Sequence, residues 1–378
     1  MCKRVILHIG FNKTGSSALQ AYFSERVMQL AGVGLAYPNP DPPSVVAVGG
    51  CTGNIIQIMY KYGFQGVRSS IATYKDFEHF TSQIKATILA QPQENVLLSS
   101  EYLSELTPRQ VNVLAQAMSE FDVTIVCFVR DPFDYILSVW KQEVKTRLIP
   151  MTIDEFIRHK NGKFSMFAGF KNYINAFADV RVLRYEKSKR NLGATFLGAI
   201  DFPLINPAPS PRDERIHNPS LTFTQAMLCV GLAKAGVSAD FAHLFSKEVS
   251  HSGRRDSVDY YDRELHASIL SDFGDIIDEI NAKLDVADCL SLTPRPHEHG
   301  SPEYSSDDLA ALFSLLSEAT NLENSERRPF HSRFSKLPAK FNDRAYLKHN
   351  PDVAETGMSP KEHYEKFGKN EGRRYKYF

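Results

Sequence analysis

Residues 5–23, VILHIGFNKTGSSALQAYF, place the tightest limit on what this chain can fold into. An apolar run from Val5 leads to Gly10, a polar turn carries a second glycine at Gly15, and the residues from Ser16 onward have helical character. The pattern reads as a buried β-strand, a tight turn and a helix. That arrangement aims backbone N–H groups and a helix N-terminus at one point, which is a ready anion site. Lys13 and the hydroxyls of Thr14, Ser16 and Ser17 add donors around it, so the expected ligand is a phosphate or phosphosulfate.

The glycine spacing invites comparison with the nucleotide-binding loop G-x-x-x-x-G-K-[ST], in which a lysine follows the second glycine and the next hydroxyl holds magnesium. Gly10 and Gly15 keep the spacing, but Ser16 stands where that lysine belongs. The loop's one lysine is Lys13, inside the turn. An ATP or GTP machine of the usual kind is therefore disfavoured, while a lysine within the turn still neutralises a phosphate oxygen. On this segment alone, a plain strand-to-helix turn remains the alternative.

A second segment, VTIVCFVRDPFDYILSVWKQ from Val123 to Gln142, repeats the architecture. The strand Val123–Val129 is almost wholly apolar, as expected of a parallel strand covered on both faces. Arg130 ends it, Asp131 suits an N-cap, and Pro132 suits the first helical position. An arginine at the carboxyl end of a parallel strand faces the crevice where α/β proteins bind ligands. Its guanidinium fork matches a phosphate bidentately, with a surface ion pair as the bland alternative. Ser138 follows on the new helix.

Together the two segments resemble the sulfotransferase superfamily that uses 3′-phosphoadenosine 5′-phosphosulfate (PAPS). That family places a K-[TS]-G-[TS]-[TS] loop after the first strand for the 5′-phosphosulfate. A later strand ends in R-[DN]-P, with a serine on the following helix, for the 3′-phosphate. Both patterns stand here, as Lys13-Thr14-Gly15-Ser16-Ser17 and as Arg130-Asp131-Pro132 with Ser138. The HIGxxKTG form with Leu19-Gln20 looks most like bacterial members resembling carbohydrate sulfotransferases. The resemblance implies an α/β, P-loop NTPase-like three-layer fold, a central parallel sheet flanked by helices. It implies PAPS as donor, PAP as product and no metal.

Other landmarks are read against that likeness. ENVLLSSEYLSEL holds a short strand, Val96–Leu98, running into Ser99-Ser100-Glu101. The family carries its catalytic base at this strand end, a His or a Glu, and Glu101 matches the Glu branch. An attacking hydroxyl must lose its proton, so the chemistry asks for such a group. The alternative is an acid placed for the dipole of a helix's first turn. Ser100 would orient Glu101 or touch the nucleotide. The segment VRVLRYE reads as a strand ending in Tyr185-Glu186; relatives place the tyrosine near the adenine, and ordinary core packing is the alternative. Arg215, in a cluster that runs to Ser220, is a candidate second ligand of the 3′-phosphate. The cytosolic-type RKGxxGDWKN signature is not evident, which leaves the adenine side less defined than the sulfate side.

The implied reaction is sulfuryl transfer to a hydroxyl of a carbohydrate acceptor, a polysaccharide or glycolipid. Lys13 and the loop N–H groups would stabilise charge on the leaving oxygen, Glu101 would take the proton, and Arg130 and Ser138 would position the donor. Two alternatives remain: a nucleotide kinase-like P-loop enzyme, and a non-catalytic nucleotide- or glycan-binding protein on the same fold.

Lys plus Arg and Asp plus Glu each number 44, so the chain has no net charge to favour nucleic acid or a membrane surface. A local basic cluster, Arg181, Arg184, Lys187, Lys189 and Arg190, is either a solvated face or a contact for an anionic glycan. Five widely spaced cysteines without a CxxC pair suggest a reduced protein. The chain opens directly into its first strand and has no apolar run near the ~18 residues of a membrane span. The expected location is cytoplasmic.

On the acceptor side, the Pro/Gly-rich loop Tyr37–Asn54 is a candidate for specificity. Phe156, Phe164, Phe167, Phe170 and Tyr173 form a stripe that is either core or a sugar platform. A polar stretch near residue 295 and a second at 324–340 suggest a sulfotransferase-like domain over 1–330 and a small helical module over 341–378. The module's apolar face would be Tyr346, Leu347, Val353, His363, Tyr364 and Phe367. At that size it needs docking for stability, as an oligomer or partner contact or as a cap on the main domain.

Overall fold

The computed structural model describes residues 2–47, 51–62, 74–205, 220–236, 245, 260–295, 346–347, 349–351, 353 and 360–364. Strand β1 (Arg4–Ile9) leads through the polar turn into helices α1 (Ser16–Ser24) and α2 (Val27–Gly32), then a short β2 (Leu35–Ala36). Helices α3 (Pro43–Ala47), α4 (Ile56–Lys61) and α5 (Tyr74–Leu89) precede β3 (Asn95–Ser100). A 3₁₀ turn at Glu101–Glu105 and α6 (Pro108–Ala117) lead to β4 (Asp122–Val129). Then come α7 (Pro132–Arg147), α8 (Ile153–Lys160), α9 (Ser165–Ala176) and β5 (Asp179–Arg184). After β5 follow α10 (Tyr185–Ser188), α11 (Leu192–Ala199) and α12 (Phe223–Lys234), and a further long helix spans Arg263–Asn281.

The five strands form one parallel sheet in the order β2-β3-β1-β4-β5. This is the α/β architecture expected from the two apolar strand-and-helix segments. β1 is the middle strand, with Val5, Ile6, Leu7, His8 and Ile9 all buried, because helices cover both faces of the sheet. Ile6 packs with Leu19, Phe23, Leu97, Val126, Phe128 and Phe196 in one core. Each strand runs a little beyond its most apolar residues: β3 covers Asn95–Ser100 and β4 starts at Asp122.

Strand order sets the position of the site. The chain leaves β1 toward β2 on one side and leaves β4 toward β5 on the other. A crevice therefore opens beyond the carboxyl ends of β1 and β4, where open α/β sheets bind ligands. Register adds height: Ile9 pairs with Cys127, so β4 continues two residues past β1 before Arg130. That lifts Arg130 to the level of the polar turn.

The edge of β3 is finished by a side chain. β2 pairs only with Asn95 and Val96. Further along, Asn54 Nδ2 donates to Leu97 O (2.9 Å) and Ser99 N donates to Asn54 Oδ1 (2.8 Å), as a neighbouring strand would. On the other flank Ser99 Oγ meets His8 Nδ1 (2.8 Å) and Gln20 Nε2 (3.1 Å). Burial drives the His8 pKa down to about 3, so the ring is neutral and serves structure.

The aromatic stripe is core: Phe156, Phe164, Phe167, Phe170 and Tyr173 are all at most 3% exposed, and Phe167 stacks on Phe273. The basic cluster is largely neutralised within the protein. Arg181 pairs with Asp179 and Asp201, Arg184 with Glu186, and Lys187 with Asp288.

The chain divides into two compact units, Met1–Val237 with Gly253–Glu303, and Ser238–Ser252 with Tyr304–Phe378. In the second unit Tyr346, Val353 and Tyr364 are buried together with Leu347 against them, and Tyr346 Oη meets His363 Nδ1 at 3.0 Å. Phe367 lies outside the described residues.

Candidate active site

The turn after β1 is built for close approach. Gly15 has φ +83°, and a Cβ there would stand 2.7 Å from Leu192 Cδ1 and 2.9 Å from Tyr185 Cε2. Lys13 itself takes φ +65°, a conformation that non-glycine residues avoid and that functional sites tolerate. The carbonyl of Phe11 accepts from Thr14 Oγ1 (2.7 Å) and from Ser16 Oγ (3.1 Å), which closes the turn. Thr14 is thereby buried beneath the loop, with its hydroxyl committed inward. Helix α1 starts at Ser16, and no side chain caps its first N–H groups. Those donors are free for an anion.

Arg130 follows β4 as the register requires. Asp131 caps α7 by accepting from Phe133 N (3.1 Å) and Asp134 N (3.2 Å), and Pro132 fills the first helical position. Arg130 Nη1 donates to Lys13 O at 3.3 Å, so the arginine and the turn are joined directly. Its Nε is buried without a hydrogen-bond partner, and Glu186 is 3.8 Å away as an ion pair. An arginine so under-committed can still donate to an incoming anion.

Tyr185 and Glu186 open α10 rather than ending β5. Glu186 accounts for the turn: its carboxylate accepts from Asp131 N (2.9 Å) and Arg184 Nε (2.6 Å), linking the ends of β4 and β5. Tyr185 lies across Gly15, with the Arg130 guanidinium 5.4 Å from its ring centre. It is a floor for the loop, half-buried and packed against the core.

Glu101 is the first residue of the 3₁₀ turn after β3. Ser100 serves as its N-cap, its hydroxyl accepting from Tyr102 N at 3.2 Å. Burial raises the Glu101 carboxyl to about 7, against the lowering effects of Lys13 and a Ser17 hydrogen bond (3.5 Å). A first-turn acid governed by the helix dipole would be held low instead, so desolvation wins here. Burial likewise lowers Lys13 to about 8; Glu101 opposes that shift, while Arg130, Lys145 and Lys141 add to it. Lys13 Nζ donates to Gln142 Oε1 at 2.8 Å.

These groups share one cavity of about 610 Å³. Lys13, Gly15, Ser16, Ser17, Glu101, Arg130, Ser138 and Tyr185 all line it. Thr14 is not among its lining side chains, and Arg215 lies outside the described residues; Ser220, at the end of the same cluster, does line it. The cavity also contains side chains that sequence reasoning missed: Asn12, Tyr102, Glu105, Gln142, Glu143, Thr146 and Arg147. Helical spacing held the signal for several of them. Gln142 stands four residues after Ser138 and Thr146 four after Gln142, one turn apart along α7.

No family description matches the sequence, and no curated protein matches it. Solved structures do. A sulfotransferase from Alicyclobacillus acidocaldarius is 14% identical, with a TM-score of 0.35 over 63% of this chain and 96% of that one. The sulfotransferase domain from the curacin biosynthetic pathway is 14% identical, with a TM-score of 0.32 over 57% of this chain and 81% of its own. Mouse sulfotransferase SULT7A1 complexed with PAP is 15% identical, with a TM-score of 0.35 over 76% and 87% of the two chains.

Proposed function

We propose that this protein is a PAPS-dependent sulfotransferase whose acceptor is a carbohydrate hydroxyl. One observation carries the reading: Lys13, the uncapped start of α1, Arg130 and the carboxyl of Glu101 converge on a single cavity at the switch point of the sheet. Two anion-binding arms and one group poised for proton transfer are what transfer between a doubly phosphorylated nucleotide and a hydroxyl requires.

The residues fit the donor. The open N–H groups at Ser16 and Ser17 and the Lys13 ammonium suit the 5′-phosphosulfate. Arg130, with its unpartnered Nε, and Ser138 suit the 3′-phosphate, and the Tyr185 ring offers a face to a purine. Arg215 remains a proposed further ligand. Bound PAPS supplies an activated sulfuryl group: the acceptor oxygen–sulfur bond forms, the sulfur–phosphate oxygen bond breaks, and PAP leaves.

The protein's part is electrostatic and positional. Lys13 and the N–H groups of the turn face the phosphate oxygen on which charge grows. Glu101, held near neutrality in its pKa, takes the acceptor proton on the carboxylate oxygen that is not beside Ser17. Ser100 fixes the turn that carries it. Gln142 holds Lys13 over the turn until the anion arrives. The small helical unit around Tyr346 and His363 is proposed as a docking element for partner or acceptor.

Calorimetry with PAP and with ATP–Mg tests this. Tight binding of PAP, weakened at least tenfold by Lys13→Ala and by Arg130→Ala, with no response to ATP–Mg, is expected. Binding of ATP–Mg in preference to PAP would replace the reading with a kinase-like one.

A further inference from the structure

The same 3₁₀ turn presents two carboxylates to the cavity, and the proposed reaction uses only one. Glu105 lies four residues beyond Glu101, at the last position of the turn, and lines the same cavity. Burial raises its carboxyl, against the lowering influence of Arg147 and Lys160. No hydrogen bond to Glu105 occurs among the described residues. A half-buried carboxylate that faces a cavity and accepts from none of the described residues can accept from a ligand.

The surroundings define which ligand. Together with Glu105 the cavity is lined by Tyr102, Gln142, Glu143, Thr146 and Arg147, and the aliphatic surface beside these polar groups is small, coming from Ala18 and Val139. Glu143 and Arg147 bind each other at 2.9 Å along α7, offering both an acceptor and a donor edge. A flat apolar phenol or sterol would bury these groups without replacing their hydration, which is costly. An anionic acceptor would meet Glu105 and Glu143. A cationic one would meet Arg147 in the lining and the field of Lys160, which already acts on Glu105. An uncharged, hydroxyl-rich molecule satisfies both kinds of edge.

The turn is also held rigidly enough to select. Tyr173 Oη donates to Leu103 O (2.8 Å), and Asn172 Nδ2 donates to Leu106 O (3.0 Å). Gly169 lets α9 come so close that a Cβ there would stand 2.6 Å from Ser104 O. The spacing between Glu101 and Glu105 is thus fixed from behind.

We propose that Glu105, with the Glu143–Arg147 pair, is the acceptor subsite, and that it takes a neutral sugar, Glu105 accepting from a hydroxyl next to the one that reacts. This rests on the sulfotransferase reading and goes beyond it by naming the acceptor's charge class and the residue that selects it.

The test uses the full chain with six trimer or small-molecule probes. They are neutral hexose trimers of glucose, galactose and mannose, a glucosamine trimer, a galacturonic acid trimer, and p-nitrophenol. Binding to the protein–PAP complex is measured by calorimetry, and turnover by PAP release from PAPS. A neutral trimer should bind and turn over best. Glu105→Gln should raise its KM at least tenfold while changing kcat less than threefold and PAP affinity less than twofold. Preference for the amine, the acid or the phenol overturns the proposal. So does failure of every neutral trimer to bind, or an unchanged KM in Glu105→Gln. Failure of the wild-type protein to bind PAP refutes the underlying reading instead, and the two failures are read from separate titrations.

Discussion

Glu101→Gln should make the protein more stable at pH 8 while removing its activity. Glu101 is held by burial at about 7 rather than the ordinary 4.5. Moving a carboxyl that far corresponds to about 3 kcal/mol of disfavoured ionisation, an upper figure because the cavity admits water. The sign follows from proton counting. Between pH 4.5 and about 7 the unfolded chain has lost the Glu101 proton and the folded protein keeps it, so stability falls as pH rises through that window. The amide cannot ionise and avoids the loss. Lys13 does not reverse this. Its own lowered pKa, about 8, means that its contribution grows as pH rises through 8–10.5, and it falls lower still without Glu101. Wild type and Glu101→Gln should therefore unfold alike at pH 4, and the variant should melt ~5 °C higher at pH 8. Thermal unfolding by circular dichroism at both values checks this, with PAP titration to show an intact site. A variant equally stable at pH 4 but no more stable at pH 8 would refute desolvation as the force that sets Glu101.

The same two groups predict a bell-shaped kcat/KM profile, rising through about 7 as Glu101 loses its proton and falling beyond about 8 as Lys13 loses its charge; Glu101→Gln should lose the acid limb. Gly15→Ala should cost about 1–2 kcal/mol of stability and more than tenfold in PAP affinity, because the new methyl combines a positive φ with contacts under 3 Å to Leu192 and Tyr185. Asn54→Ala should cost about 2–3 kcal/mol in urea unfolding, since Leu97 O and Ser99 N are left without their partner inside the fold. Gly169→Ala should lower kcat in a PAP-release assay, because the new methyl would stand 2.6 Å from Ser104 O behind Glu101, and also 3.1 Å from the Phe11 ring.

The parts legible in the sequence were those in which local chemistry and long-range position coincide. β1 and β4 are apolar through their length because they are central strands, and their following turns carry glycine, proline and capping residues at fixed offsets. Tyr185 and Glu186 were harder to place. β-Propensity carries VRVLRYE onward as a strand, but Glu186 finds its partners at Asp131 and Arg184, and that tertiary pull turns the chain early. Thr14 looked like another donor to the anion because composition cannot tell which hydroxyls close a turn. The acceptor end was least legible. Glu105 stands more than thirty residues before Glu143 and Arg147, and nothing local marks three ordinary charged positions as facing one cavity. Asn54 is hidden for the same reason: its role exists only because β2 is too short to cover β3.

Arg130 is the residue on which the nucleotide assignment turns, and a titration that separates the two phosphates tests it most directly. PAP and adenosine 5′-phosphate differ only by the 3′-phosphate. Calorimetric titration of wild type and Arg130→Ala with both ligands should show PAP affinity falling by about 10- to 100-fold, the worth of a charge-assisted hydrogen-bonded contact. Adenosine 5′-phosphate affinity should change less than twofold. An equal loss for both ligands, or none for either, would contradict the placing of the 3′-phosphate at the end of β4 and with it the sulfotransferase account of this cavity.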